Sequence, residues 1–254
     1  MLFWQKALFY FLWISPRVLL AVLAVVVYKR RLYREFPCFF AYVLYEIARF
    51  IPLFILGWIH GVPGNQYAYV FSVTLVPSLA LRFGVIDEIS RDLFRESRFL
   101  KVAARRLLQC FAALLLVISV ALAVYSPGNN TVRWQTGVSV INRGAATVQC
   151  GLLLSLLLFS HFLGLTWRRP AFGITLGLGI LASIDLATSA LRAEFTSAAA
   201  RELLNLMVTG SAFVCVSIWI GYLLVPEPKL APVAVISGDE VESWNRELQR
   251  LARH

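Results

Sequence analysis

The sequence predicts an all-α polytopic membrane protein of seven transmembrane helices, with the N-terminus outside and the C-terminus cytoplasmic. Three observations predict it. Hydrophobic residues make up 59% of the 254, only 15% are charged and mean hydropathy is +0.72. That balance is far too apolar for a water-soluble domain. Apolar runs of about 20 residues, the length that crosses a bilayer, recur along the chain. Lysine and arginine collect at alternate connections between those runs, the pattern that sets orientation in a membrane.

The spans fall at about 8–28, 38–60, 67–86, 106–125, 144–165, 171–191 and 203–225, a single transmembrane domain over 1–225. The first is long, lacks a small-residue cleavage site and ends in Lys29-Arg30-Arg31, so it reads as an uncleaved helix with its positive end inside. The second, from Cys38 to Gly61, carries Glu46 and Arg49 near its middle with Pro52 one turn on. The third contains Pro77; both prolines free a carbonyl one turn back and favour a kink. Pro63-Gly64 and Ser126-Pro127-Gly128-Asn129 read as turns, and Pro170 suits the first turn of the sixth span.

Segment 87–106 mixes acids and bases at helical spacing, as an extension of the third helix or an amphipathic lead into the fourth. The tail, 226–254, begins with Pro226, Pro228 and Pro232. It ends in a stretch where Val241, Trp244, Leu248 and Leu251 form one apolar stripe. A short helix lying on the membrane or on a partner is expected there. Segments 87–106 and 238–254 are the expected docking points for a cytoplasmic protein.

Sixteen of the 24 Lys and Arg lie on the side of the tail and four on the other. By the positive-inside rule that side is cytoplasmic, in the inner membrane of a bacterium. The net charge of +10 therefore points to the bilayer and its anionic lipid headgroups, not to nucleic acid.

The remaining four arginines, Arg17, Arg49, Arg82 and Arg143, lie within or at the edge of spans, against two intramembrane carboxylates, Glu46 and Asp185. A charge at the bilayer centre costs at least about 2.5 kcal/mol, so such groups face a protein interior or a cavity. Tyr42, Tyr45, Glu46, Arg49 and Leu53 share one face of the second span; Ala182, Asp185, Thr188, Ser189 and Arg192 share one face of the sixth. Two readings stand for the charges. Glu46–Arg49 is a self-neutralising pair that locks helices together, or part of a ligand pocket. Asp185 lies at a depth similar to Arg143 and Arg17 and can pair with either, while Arg17, Arg82 and Arg143 are close enough to an interface to snorkel. An arginine facing the interior without a carboxylate partner calls for a phosphate, carboxylate or lipid headgroup. The candidate ligand-binding set is Glu46, Arg49, Arg143, Asp185, Arg17 and Tyr45.

Other chemistries are excluded more sharply. No lysine lies inside a span, so a retinal Schiff base has no nitrogen to form on. His60 and His161 sit at opposite membrane faces and cannot ligate one haem between them. No G-x-S-x-G, H-E-x-x-H or P-loop occurs, and Ser139 of Gly137-Val-Ser139 has no histidine within reach. The four cysteines show no CxxC spacing, so neither a disulfide nor a metal cluster is expected. No cofactor and no enzymatic activity are expected. Gly57-x-x-x-Gly61 and Gly173-x-x-x-Gly177 allow close helix approach, inside the bundle or in a homo-oligomer. Asn129-Asn130-Thr131 is a glycosylation sequon of the kind that arises by chance.

Seven spans with the N-terminus out, Tyr33-Arg34-Glu35-Phe36-Pro37 after the first and Asp92-Leu93-Phe94-Arg95 after the third, resemble uncharacterised bacterial seven-helix membrane proteins. More loosely they resemble the seven-helix sensor module that opens some histidine kinases. The resemblance covers the layout of 8–225 and carries no functional residue with it. The excess of intramembrane arginines leads to the functional expectation: a receptor-like or partner-binding protein with an outward-facing polar pocket for an anionic or amphiphilic ligand. The alternative is a small transporter or channel using the Glu/Arg/Asp set.

Overall fold

The computed structural model describes residues 3–58, 64–94, 130–162, 167–194 and 198–225, together with Arg106, Cys110, Ala113 and Val117. Six long helices run through them, with no strand among the described residues: α1 Phe3–Lys29, α2 Pro37–Trp58, α3 Gly64–Leu93, α4 Asn130–Phe162, α5 Arg169–Glu194 and α6 Ala198–Leu224. A single 3-10 turn, Leu32–Arg34, links α1 to α2. Five helices are long and apolar enough to cross a membrane, over Pro37–Leu56, Tyr69–Leu93, Val140–Phe162, Arg169–Arg192 and Glu202–Leu224. The chain is thus an all-helical membrane protein. The first predicted span, 8–28, falls within α1, which is not one of these five. The predicted fourth span, the tail 226–254, the sequon at Asn129 and His60 lie outside the described residues, apart from the four isolated positions just named.

Each helix packs on the next in chain order, α6 packs back on α1, and α3 also touches α5 across the interior. The result is a closed ring of helices with an inside. Large apolar side chains such as Val18, Val25, Ile51, Val73, Leu158 and Leu203 stay on its outside, as expected where the surrounding solvent is hydrocarbon.

Polar contacts tie together one end of the ring. Arg30 donates to the carbonyl of Leu224, answering an orphan acceptor at the C-terminus of α6. The Glu88 carboxylate accepts from the backbone N–H groups of Cys38 (3.1 Å) and Phe39 (3.0 Å). An acid of α3 thereby caps the N-terminus of α2, where the helix dipole favours negative charge. Arg168, just before α5, bridges Glu35 at 2.9 Å and Asp92 at 3.7 Å. The ends of α1, α3 and α6 and the starts of α2 and α5 therefore share one level, called the Arg168 end below.

Behind that end lies the main apolar core, built around Leu23, Phe36, Phe39, Val43, Val85, Ile89, Ile174 and Trp219. Trp219 meets Phe39 edge-on (5.3 Å between centroids) and Tyr42 likewise (6.2 Å). Its indole sits against Gly177: a β-carbon there would lie 2.2 Å from Trp219 Nε1, and one at Gly173 2.4 Å from Tyr222 Cβ. The Gly173-x-x-x-Gly177 motif thus serves close approach of α5 and α6 within the bundle.

Two helices run furthest beyond their predicted spans. α3 continues to Leu93 because its acids find partners, Glu88 on α2 and Asp87 on Arg91 one turn on. α4 begins at Asn130, well before the apolar run, as no proline interrupts 130–162. The alternative of 87–106 as an extension of the third helix holds as far as Leu93; positions beyond Phe94 are outside the described residues, Arg106 excepted.

Candidate functional site

A cavity of about 640 Å³ occupies the other half of the ring, lined from all six helices. Its floor is formed by Tyr42, Cys215 and Trp219, on the roof of the apolar core. Its walls carry five arginines, Arg17, Arg49, Arg82, Arg143 and Arg192, against two carboxylates, Glu46 and Asp185. Such a volume is typical of a small-molecule site.

Glu46 is the centre of one cluster. It is 7% exposed and lies 3.5 Å from Arg49 Nη1, one turn on, and 3.6 Å from Arg17 Nη1 on α1. Ser78 on α3 donates to the same carboxylate. A buried carboxylate needs this degree of pairing to remain charged. Arg49 also donates through Nε to Thr74 Oγ1 (3.2 Å) and lies over Phe71, 5.0 Å from the ring centroid. Arg17 lies over Phe50 at 5.3 Å and keeps its side chain 32% exposed. The self-neutralising pair is thus present, and the cluster that holds it lines the cavity.

The second cluster is Arg82 with Asp185, 3.0 Å apart and joining α3 to α5. Asp185 thus pairs with neither Arg143 nor Arg17. The reason is the length of α3: with the helix running on to Leu93, Arg82 lies roughly 16 Å inside it at 1.5 Å per residue, too deep to snorkel. Its side chain is 12% exposed, and its guanidinium faces the Tyr42 ring at 5.9 Å. Its Nε is buried and has no hydrogen-bond partner among the described residues.

Arg143 and Arg192 line the cavity as exposed side chains with no carboxylate partner among the described residues. Arg192 donates to Asn205 Oδ1 at 2.9 Å. Tyr45 is the candidate that falls elsewhere. Its hydroxyl donates to the backbone carbonyl of Thr74 (2.8 Å), and it does not line the cavity. It braces α2 against α3, next to the turn broken by Pro77.

Sequence reasoning missed Ser78, Trp219 and the inward role of Arg82. A signal for two of them was present: Thr74, Ser78 and Arg82 follow one another at spacings of four, a polar stripe on one face of an apolar helix. Among the described residues no group of three or more His, Cys, Asp or Glu is placed to hold a metal ion. No family model, curated protein or solved structure matches the chain.

Proposed function

We propose that this is a seven-span protein of the bacterial inner membrane, N-terminus outside, that binds an anionic or amphiphilic ligand from the outer face in a receptor-like manner. The observation that carries the reading is the one-sided interior. Paired and unpaired arginines surround a cavity in one half of the ring, and a dry aromatic core fills the half behind the Arg168 end. A through-pore has no such floor. Covalent catalysis needs a nucleophile activated by a base, and the cavity's thiol, Cys215, donates instead to the backbone carbonyl of Gly177. We therefore read the protein as a binder and not an enzyme.

Two observations support seven spans and the orientation. α3 and α4 both finish at the Arg168 end, since Trp167, beside Arg168, donates to Ser160 in the last turns of α4. The apolar run 106–125 supplies the further span that the seven-span reading needs between them. Lys29, Arg30, Arg31, Arg34, Arg91, Arg168 and Arg169 gather at that end, against Lys6, Arg133, Arg192 and Arg201 at the other. By the positive-inside rule the cavity then opens outward. Ligand occupancy would be passed through the Arg168 end and the segments 87–106 and 238–254 to a separate cytoplasmic protein.

A transporter is the second reading. Pro16, Pro52 and Pro77 interrupt α1, α2 and α3, three walls of the cavity, and such breaks permit rocking. Two measurements decide. A cysteine at Ser189, in a variant lacking the four native cysteines, should react with an impermeant thiol reagent in right-side-out but not inverted vesicles; the reverse would sink the outward pocket. Flux of a radiolabelled anion in proteoliposomes would replace the receptor reading with the transporter.

A further inference from the structure

Resting on the outward-pocket reading, we infer that the cavity's ligand is a two-headed organic anion, with carboxylate or phosphate-ester groups at both ends and a short apolar middle. The deep level holds Arg17, Arg49 and Arg82 against Glu46 and Asp185, an excess of one positive charge. Above it Arg143 and Arg192 add two more with no acid among the described residues to offset them. A partly desolvated site with such an excess is stabilised by anions of matching charge at each level.

Geometry then separates the levels. Arg82 is fixed to Asp185 at 3.0 Å. Arg192 lies seven residues further along α5, two turns on the same face, so roughly 10 Å nearer the mouth. Arg143 lies 19 residues before the end of α4, roughly 28 Å from the Arg168 end against roughly 16 Å for Arg82, which sets it on the mouth side of the lower level. At the lower level Arg17, with about a third of its side chain exposed beside Glu46, keeps donors open to the cavity. Between the levels Leu75 and Val208 line the wall with Thr188 and Ser189, whose hydroxyls donate to the carbonyls of Ile184 and Leu186 on their own helix and so leave no free donor there. One oxyanion therefore seats against Arg17 and the other between Arg143 and Arg192. A single-headed amphiphile would leave one level unanswered.

The test uses the full-length protein in a non-ionic detergent. Calorimetric affinities are measured for straight-chain α,ω-dicarboxylates from adipate to dodecanedioate, for octanoate and decanoate, for inorganic phosphate and for decamethonium. The expected result is an optimum at one dicarboxylate length, roughly tenfold or more tighter than the monocarboxylate of equal length. In the double variant Arg143→Ala/Arg192→Ala that advantage should vanish while monocarboxylate binding persists. Arg192→Lys, which keeps the charge, should retain most of it. Equal affinity for mono- and dicarboxylates, no dependence on length, preference for the monocarboxylate or phosphate, or binding of decamethonium would each overturn the inference. Failure of Ser189→Cys to react from outside sinks the pocket itself. Reaction there with no dicarboxylate preference sinks only the two-headed ligand.

Discussion

Arg82 on α3 and Asp185 on α5 meet at 3.0 Å across the interior of the ring, joining two helices that are not neighbours in its circuit. This bridge sets the level at which the cavity gives way to packed core. A double-mutant cycle on Arg82→Ala and Asp185→Ala should show the pair acting as a unit, with a coupling of about 0.5–3 kcal/mol for residues in direct contact. Thermal unfolding in detergent reads it. Strictly additive losses would mean that the pair holds nothing together.

Removing the charge at the centre of the other cluster should hurt more. Glu46→Gln leaves Arg17 and Arg49 without their carboxylate, and breaking a buried pair on one side typically costs about 3–5 kcal/mol. Ser78→Ala removes one hydrogen bond to the same carboxylate, worth about 1 kcal/mol. Partial exposure of Arg17 moves the first value toward the lower end. Equal melting temperatures for the two variants would contradict the central place of Glu46.

Glycine substitutions separate close approach from open space. Gly177→Ala sets a methyl group 2.2 Å from Trp219 Nε1 and Gly173→Ala one 2.4 Å from Tyr222 Cβ, so each should destabilise by about 1–3 kcal/mol, the usual cost of overpacking. Gly151→Ala and Gly210→Ala meet nothing within 4 Å and should be neutral or stabilising by up to about 1 kcal/mol on helix propensity. A common loss at all four positions would remove the packing account of α5 and α6.

At the Arg168 end two acids should behave differently. Glu88→Ala uncaps α2, whose Cys38 and Phe39 amides it accepts from, at about 0.5–2 kcal/mol. Glu35 is half exposed in its bridge to Arg168, so Glu35→Ala should cost no more than about 1 kcal/mol. Hydrogen exchange at the start of α2 should accelerate in the first variant alone. Acceleration in both would show the cap to be irrelevant.

The helices were legible because an apolar run of membrane length allows few alternatives, and the charged stripe of α2 was legible because Glu46 and Arg49 stand out in it. Depth was not. Hydropathy ends the third span at 86, before Asp87 and Glu88, yet the helix continues because a remote N-terminus and Arg91 accept those acids. That error placed Arg82 at an interface and concealed its pairing with Asp185. Arg143 was placed at a helix end for the same reason, since α4 starts in polar sequence at Asn130. Tyr45 shared a helical face with Glu46 by spacing, but the neighbouring α3 offered it the Thr74 carbonyl and drew it away from the cavity. Spacing along one helix identifies a face; only the packing of the ring decides what that face meets.

The dry core behind the Arg168 end has an electrical consequence. In the proposed orientation a cavity open to the outside would bring the outer potential down toward Trp219, so that the transmembrane voltage would drop mainly across the packed layer behind it. The field through the layer of Phe36, Phe39 and Trp219 would then be steeper than in the unperturbed bilayer. Glu46, Arg49 and Arg82 lie at its upper boundary, where the field turns steep. Any shift of that charged layer toward or away from the floor therefore moves charge through the membrane voltage, at up to about 2.3 kcal/mol per elementary charge per 100 mV. The packed aromatic floor makes the resting voltage of the cell a force on the site.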